Sequence, residues 1–219
     1  MAPDAKRRSP PPDAVKFASV SEAVSALKSS GVVAIPTDTV YGLAASAFDE
    51  RAVARVYEIK GRNFDVALPV LLADAEDMDR CAVSVPALAW RLTNRFWPGP
   101  LTIVVPKSKS MPDVLTAGMP TIGLRVPDHP IPRELSRLVG SPITGTSANR
   151  SGMPSMHSAS AVIRELGSLL DGVVDGGDLL DAKPSTVVDV TVDRPRILRR
   201  GAISVEELVD AAGIEFSSA

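Results

Sequence analysis

The stretch Ala34-Ile35-Pro36-Thr37-Asp38-Thr39-Val40-Tyr41-Gly42-Leu43 decides how this chain is organised. The apolar run 32–35 predicts a short buried strand, and Pro36 ends it because proline has no N–H to donate to a sheet. Two hydroxyls, a carboxylate and a phenol follow before Gly42. Polar side chains just past a buried strand commonly face a crevice in α/β proteins. Thr and Asp also cap ordinary turns, so the stretch alone leaves both interpretations open.

Composition restricts the class of protein. The chain has 219 residues, 45% of them apolar, which is ample for the core of one large domain. The net charge of −2 argues against a protein that binds nucleic acid through bulk charge, although it does not exclude a local basic cleft. Cys81 is the only cysteine, and His129 and His157 are the only histidines. An intrachain disulfide is therefore excluded, and we expect no protein metal site.

Neither a membrane span nor a signal peptide is recognisable in the sequence. No apolar run approaches the roughly 20 residues that cross a bilayer, and the charged, proline-rich segment 1–13 lacks an apolar core. We expect a cytoplasmic protein with no membrane partner. Its predicted parts are a disordered tail over 1–14, one folded domain over 15–213 and a short tail over 214–219.

Apolar periodicity predicts a mixture of helices and strands. Helices are predicted around 20–27, 49–59, 84–96, 131–139 and 158–166, and from the capping box at 204–207 onward. Strands are predicted over 32–35, 68–72, 101–105, 121–126, 173–175, 186–190 and 196–198. Because the elements do not strictly alternate, we expect an α/β (α+β) fold with a mixed sheet flanked by helices. The segment 107–119 has turn residues and little periodicity, which predicts a mobile loop.

Hydroxyls, amides and cations collect near strand and helix ends. They are Thr39, Lys60, Arg62, Thr121, Arg125, Ser147, Asn149, Ser185, Thr186 and Arg199. Arginine forks match carboxylates and phosphates, and hydroxyls with backbone N–H groups complete an anion site. The sequence shows no nucleophile–base pair, P-loop or dinucleotide fingerprint. The set therefore indicates phosphoryl or nucleotidyl transfer, in which charge stabilisation does most of the catalysis.

Each of these residues also has an ordinary structural explanation. Lys60 and Arg62 suit a solvated helix end, where cations complement the helix dipole. Asn149 suits a turn cap, and Ser185 suits the entry to a strand. The residues taken singly do not decide between these alternatives.

Seven motifs taken together resemble a known family. They are 36–43 (PTDTVYGL), 60–62 (KGR), 96–102 (FWPGPLT), 123–130 (GLRVPDHP), 146–152 (TSANRSG), 185–189 (STVVD) and 197–201 (ILRRG). In this order they are similar to the YrdC-type threonylcarbamoyl-adenylate synthases, in their short single-domain form. The resemblance covers roughly 15–213 and implies a twisted mixed sheet with a large concave cleft.

The resemblance implies an activity and its ligands. The family joins L-threonine, bicarbonate or CO2, and ATP into threonylcarbamoyl-adenylate and releases pyrophosphate. A downstream threonylcarbamoyl-transferase complex then modifies adenosine 37 of tRNAs that read ANN codons, and weak tRNA binding is an expected accompaniment. Mg²⁺ is expected with ATP, held mainly by the phosphates and water.

The resemblance also implies residue roles, carried over by motif. Lys60 and Arg62 would be catalytic, and Thr39, Arg125 and Ser185 would bind threonine. The ATP-binding set would be Arg62, Thr121, Ser147, Asn149, Ser155 and Arg199.

The sequence departs from the family pattern near Arg62. Asn63 replaces a usual proline, and Val66 stands where the family commonly has lysine, so one cation expected near the phosphates is missing. Arg200 follows Arg199 in place of a proline and is a candidate replacement for that charge, while Thr146 replaces a proline before Ser147. We also expect the chain to lack the extra C-terminal domain of longer members, which would leave closure of the site to local loops.

Two other functions compete with adenylate synthesis. An RNA-binding module would use the same basic cleft without turnover, although the acidic net charge and few aromatics weaken that hypothesis. An enzyme acting on another carbamoyl-adenylate, as in hydrogenase maturation proteins, would share the fold within a much longer chain.

Overall fold

A computed structural model describes residues 17–179 and 183–218. Its α-helices in this range are α1 (Val20–Lys28), α2 (Glu50–Lys60), α3 (Met78–Cys81), α4 (Ala87–Phe96), α5 (Pro130–Val139), α6 (Ala159–Leu166) and α7 (Val205–Ala212). Short 3₁₀ helices lie at Ala75–Asp77, Asp113–Thr116 and Gly167–Leu169. The predicted tail over 1–14 lies outside the described residues.

The strands form two mixed sheets. They are β1 (Val33–Ile35), β2 (Gly42–Ala44), β3 (Val70–Leu71), β4 (Leu101–Pro106), β5 (Thr121–Arg125), β6 (Ile143–Thr144), β7 (Thr146–Ser147), β8 (Gly172–Val173), β9 (Thr186–Asp189), β10 (Arg196–Arg199) and β11 (Ser217–Ser218). The smaller sheet has the order β7-β2-β1-β8, and the larger has the order β11-β10-β9-β4-β5-β3-β6. The predicted mixed α/β fold is confirmed.

The chain passes from the larger sheet to the smaller one at Gly145, between β6 and β7. A Cβ atom at this position would lie 2.5 Å from the Leu71 side chain, while the Gly145 N–H donates to the Pro69 carbonyl at 2.8 Å. The crossing thus requires a residue without a side chain. The crossing places Ser147 opposite Gly42 in the smaller sheet. Gly42 directly follows the polar stretch after β1.

Helix ends follow the local sequence. The Asp49 side chain accepts hydrogen bonds from the backbone N–H groups of Arg51 and Ala52 and so caps α2, as predicted. Gly61 ends the helix in the left-handed region at φ 58°, a conformation that glycine adopts at little cost. The predicted capping box between Ser204 and Glu207 opens α7.

The larger sheet has one apolar and one polar face. On β4 and β5, Leu101, Ile103, Val105, Ile122 and Leu124 are all at most 1% exposed and belong to the main core. Alternate positions point the other way, since successive side chains on a strand face opposite sides. They are Thr102, Val104, Thr121, Gly123 and Arg125. The polar face of the sheet is therefore where the predicted ligand residues of β5 lie.

Several predicted boundaries are wrong. The helix predicted over 84–96 begins at Ala87 because Pro86 precedes it in an extended conformation. The strand predicted over 68–72 pairs only at Val70–Leu71. Short strands at β2, β6 and β7 were not predicted, because two- or three-residue strands give too little alternation to recognise.

The segment predicted as a mobile loop, 107–119, is packed against the domain. Met111 is 2% exposed, Leu115 is fully buried, and Lys107 forms an ion pair with Asp113. The apolar residues of this segment are too few to show periodicity, yet they are the ones that anchor it. The segment therefore packs against the core and does not form a loop that is free to close over a site.

The predicted C-terminal tail over 214–219 is also partly structured. Phe216 is 8% exposed and joins the main core, and β11 pairs in parallel with β10. Three polar or small residues follow Phe216, and this composition concealed the edge strand.

The first prediction concerns Gly201, which follows β10. An added Cβ would lie 2.3 Å from the Pro184 carbonyl oxygen and 2.4 Å from the Ser185 carbonyl carbon, both backbone atoms. We expect Gly201→Ala to lower the free energy of unfolding by about 1–3 kcal/mol, as overpacking does. Chemical denaturation measures this, with the exposed neighbour Ala202→Ser as the control. Equal stability of the two variants would contradict the close approach.

Candidate functional site

The turn after β1 is closed by the hydroxyl of Thr37. Thr37 Oγ1 accepts from the N–H groups of Thr39 at 3.1 Å and Val40 at 3.2 Å, and it donates to the Val40 carbonyl at 2.6 Å. A local side-chain-to-backbone turn of this type fixes the backbone without a sheet partner. It holds Asp38 and Thr39 at the end of β1.

Arg125, the last residue of β5, reaches this turn. Its Nε donates to the Gly99 carbonyl at 2.9 Å, Nη1 donates to Thr39 Oγ1 at 3.1 Å, and Nη2 donates to Asp38 Oδ1 at 2.6 Å. Arg125 is 6% exposed. Burial lowers the pKa of its guanidinium, and the Asp38 carboxylate opposes that shift. The arginine is thus fixed in place by two other segments, the turn after β1 and the segment at Gly99.

A second arginine lies near the first. Arg199 donates from Nε to the Ser185 carbonyl at 3.0 Å and from Nη2 to Ser185 Oγ at 2.7 Å. Ser185 Oγ also lies 2.9 Å from Thr102 Oγ1 on the polar face of β4. Burial and the charge of Arg125 both lower the pKa of Arg199. Arg125 is buried, whereas Arg199 keeps part of its surface exposed, and two neighbouring guanidiniums favour the binding of an anion between them.

Lys60, at the end of α2, supports the turn after β7. Its Nζ donates to the backbone oxygens of Ser147 at 2.6 Å and Asn149 at 3.0 Å, and to Asn149 Oδ1 at 3.0 Å. These acceptors use all three N–H groups of an ammonium. Lys60 is 3% exposed, and burial, followed by repulsion from Arg62, lowers its pKa to about 8. Its described contacts are those of a support for the turn, and its catalytic role stays a prediction.

The predicted site residues fall into two linked groups. Thr39, Arg125, Ser185 and Arg199 form one group, and Lys60, Ser147 and Asn149 form the other. Ser147 Oγ lies 2.6 Å from Asn149 Oδ1. Arg62 is half-buried and near enough to Lys60 to affect its pKa. The two groups meet at the smaller sheet, where the stretch 37–42 adjoins β7.

Two predicted ATP ligands lie further from these groups. Thr121 occupies the same face of β5 as Arg125 but the opposite end of the strand, roughly 13 Å away at the usual rise per residue. Ser155 is half-buried in the segment before α6, and the carbonyl of its neighbour Met156 accepts from the Tyr41 N–H at 3.1 Å. Their assignments stay predictions.

Three residues of the site were not predicted. Asp38, Thr102 and Gly99 each contact a predicted ligand residue directly. Asp38 had a recognisable signal, since it is a carboxylate between two hydroxyls after a buried strand. The carbonyl of Gly99 left none, because a backbone acceptor is not encoded in a side chain.

Metal ligands and membrane spans were sought in the part of the chain that the structure describes. No three side chains of His, Cys, Asp or Glu come together there as a metal site would need. No helix in those ranges is both long and apolar enough to cross a bilayer.

The fold and the site define an α/β protein that gathers two arginines and several hydroxyls at the ends of neighbouring strands. The Sua5/YciO/YrdC family model, described as "Telomere recombination", matches residues 25–201. The chain belongs to this family, which confirms the resemblance seen in the motifs.

Individual relatives are similar over most of this chain. The threonylcarbamoyl-AMP synthase of Pyrococcus abyssi is 42% identical over 85% of the chain, and a putative threonylcarbamoyl-AMP synthase of Mycobacterium tuberculosis is 38% identical over 91% of both chains. The chain spans about half the length of the first of these, 55%. The crystal structure of P. abyssi Sua5 complexed with L-threonine superposes with a TM-score of 0.88 at 40% identity, over 91% of this chain and 58% of that one.

The second prediction uses the pKa of Lys60. Between pH 8 and 10.5 the unfolded chain keeps a proton that folded Lys60 has released, so stability should rise with pH in this window. We expect the difference in unfolding free energy between the wild type and Lys60→Met to rise by up to about 3 kcal/mol across it. Denaturation at several pH values measures this. The exposed Lys28→Met is the matched control, and a difference between the wild type and Lys60→Met that does not change with pH would contradict the shift.

Proposed function

We propose that this chain makes L-threonylcarbamoyl-adenylate from L-threonine, bicarbonate or CO2, and ATP, and releases pyrophosphate. One observation carries the proposal: Arg125, which donates to the Thr39 hydroxyl, lies close enough to Arg199, which donates to the Ser185 hydroxyl, to lower its pKa. This combination suits a small hydroxylated carboxylate beside a second anion. The names of the relatives and the threonine complex of P. abyssi Sua5 support the same conclusion.

The chemistry needs positioned charge rather than a protein nucleophile. The threonine amine attacks CO2 and loses a proton, which gives a carbamate. A carbamate oxygen then attacks the α-phosphorus of ATP, and the bond to pyrophosphate breaks. The carbamate and the phosphates of ATP must be held together against their repulsion, which Arg62 and Arg199 would reduce. Effective concentration and preorganised charge supply the rate.

Threonine would bind in the pocket of Arg125. Its carboxylate would occupy the guanidinium, and its hydroxyl would lie among Thr39 and Ser185, the residues assigned to it by motif. ATP would extend toward Ser147, Asn149 and Arg62. Mg²⁺ would arrive on the nucleotide, because the cleft offers cations, hydroxyls and an amide rather than a set of carboxylates.

The wider setting is also a proposal. The adenylate would serve a separate transferase that modifies adenosine 37 of tRNAs, in the cytoplasm. Direct tRNA binding would be weak, given the net charge of −2. Salt-sensitive tRNA binding without pyrophosphate release would favour the RNA-binding hypothesis instead.

The third prediction concerns substrate choice. A site that hydrogen-bonds a substrate hydroxyl rejects the analogue that lacks it, because its own polar groups are left unpaired. We expect pyrophosphate release to require L-threonine and bicarbonate and to be roughly 10²-fold lower in kcat/KM with L-2-aminobutyrate. A coupled pyrophosphate assay measures this, with mass detection of the adenylate. Equal turnover of the two amino acids would rule out the threonine assignment.

The fourth prediction separates catalysis from folding. Arg62→Ala and Arg199→Ala should each lower turnover by roughly 10²-fold or more, as loss of a preorganised charge does, with little change in melting temperature. Arg199→Lys should recover only part of the activity, because a point charge cannot replace a fork. The exposed Arg194→Ala is the matched control and should retain full activity. Full activity in both site variants would place the nucleotide elsewhere.

A further inference from the structure

Asp38 lies beside the arginine that the proposed threonine carboxylate would contact. Its Oδ1 accepts from Arg125 Nη2 at 2.6 Å, and its side chain is 14% exposed. The hydrogen bonds described for Asp38 use Oδ1 alone. The second oxygen, Oδ2, is therefore available to a ligand that reaches the pocket.

Arg125 keeps donors for such a ligand. Three of its five N–H groups are used by Gly99, Thr39 and Asp38, one from Nε and one from each Nη. One N–H on each Nη therefore remains to donate to the oxygens of a carboxylate. By this count Arg125 can hold its internal partners and still donate to a substrate carboxylate.

An α-amino acid carries its ammonium two bonds from the carboxylate carbon. If the carboxylate is on Arg125, the ammonium must lie in the same pocket, where Arg125 and Arg199 both repel it. Asp38 is the carboxylate in direct contact with that guanidinium. Other acidic groups approach from neighbouring segments: Asp128 near His129, and Asp175 and Asp178 near Tyr41. Among the described ion pairs, Arg125 is paired with Asp38 and not with any of these three carboxylates.

We propose that Asp38 binds the α-ammonium group of the amino-acid substrate through Oδ2 while Oδ1 holds Arg125. The inference rests on the proposed function and extends it. The zwitterion would then be matched at both ends, with its carboxylate on Arg125 and its ammonium on Asp38. This pairing would select free α-amino acids and orient the nitrogen that captures CO2.

The test compares two ligands that differ only in the group at stake. They are L-threonine and the matching 2,3-dihydroxybutyrate, in which a hydroxyl replaces the ammonium. Calorimetry without ATP gives their dissociation constants for the wild type, Asp38→Asn and the exposed control Asp128→Asn. We expect the wild type and the control to prefer threonine by about 10- to 100-fold, the range for a hydrogen bond to a charged group. In Asp38→Asn this preference should fall to about threefold or less.

The outcomes are separable from those of the proposed function. If Asp38→Asn weakens both ligands equally, Asp38 only anchors Arg125 and the inference is wrong. A wild type that binds both ligands equally well would also overturn it, while the threonine site would stand. Failure of threonine to bind the wild type would overturn the proposed function and this inference with it.

A second variant covers the case in which Asp38→Asn does not fold. Asp38→Glu keeps a negative charge beside Arg125 but moves the carboxylate by one methylene. It should lower the preference for threonine over dihydroxybutyrate by about tenfold. An unchanged preference in this variant would contradict the assignment.

Discussion

The buried ion pair between Arg125 and Asp38 is the interaction on which the site depends. A guanidinium that is 6% exposed is costly unless it is paired and its N–H groups are used. Here the Asp38 carboxylate and the Thr39 hydroxyl, both in the turn after β1, satisfy it together with the Gly99 carbonyl. The arginine therefore holds β5, the turn after β1 and the segment at Gly99 in register. The described hydrogen bonds of this pair leave one carboxylate oxygen and two N–H groups unused, so the structural anchor is also the proposed binding site.

The two-sided sheet explains how a binding site can lie next to a dense core. On β4 and β5, Ile103 and Leu124 are fully buried on one face, while Thr102 and Arg125 lie on the other. Because successive side chains on a strand point to opposite faces of the sheet, the same strand contributes to the core and to the site. Backbone pairing of β5 with β4 and β3 thus positions Arg125 together with its own side-chain hydrogen bonds. Rigid strands of this kind give a more exact site than a loop would.

The sequence predicted the class of fold and most of the residues that the structure brings together at the candidate site, and the reasons for its failures are physical. Arg125 and Thr39 were recognisable because polar residues interrupt apolar strands at their ends. The very short strands β6 and β7 were not, since long-range pairing across Gly145 creates them rather than local propensity. The anchoring of 107–119 was missed because its buried apolar residues, Met111 and Leu115, are too few to show periodicity. The Lys60 contacts were also hidden, because they run largely to backbone carbonyls.

The parallel pairing of β4 with β9 has a consequence for how the protein is made. Leu101 pairs with Thr186, so this ladder joins parts of the chain that are far apart in sequence. Contacts of such separation pay their loop-closure entropy before they gain any energy, and they form slowly. Ser185 and Arg199 reach Arg125 only after this ladder has closed. A ligand held jointly by Arg125, Ser185 and Arg199 would therefore bind only to a chain in which this ladder has formed.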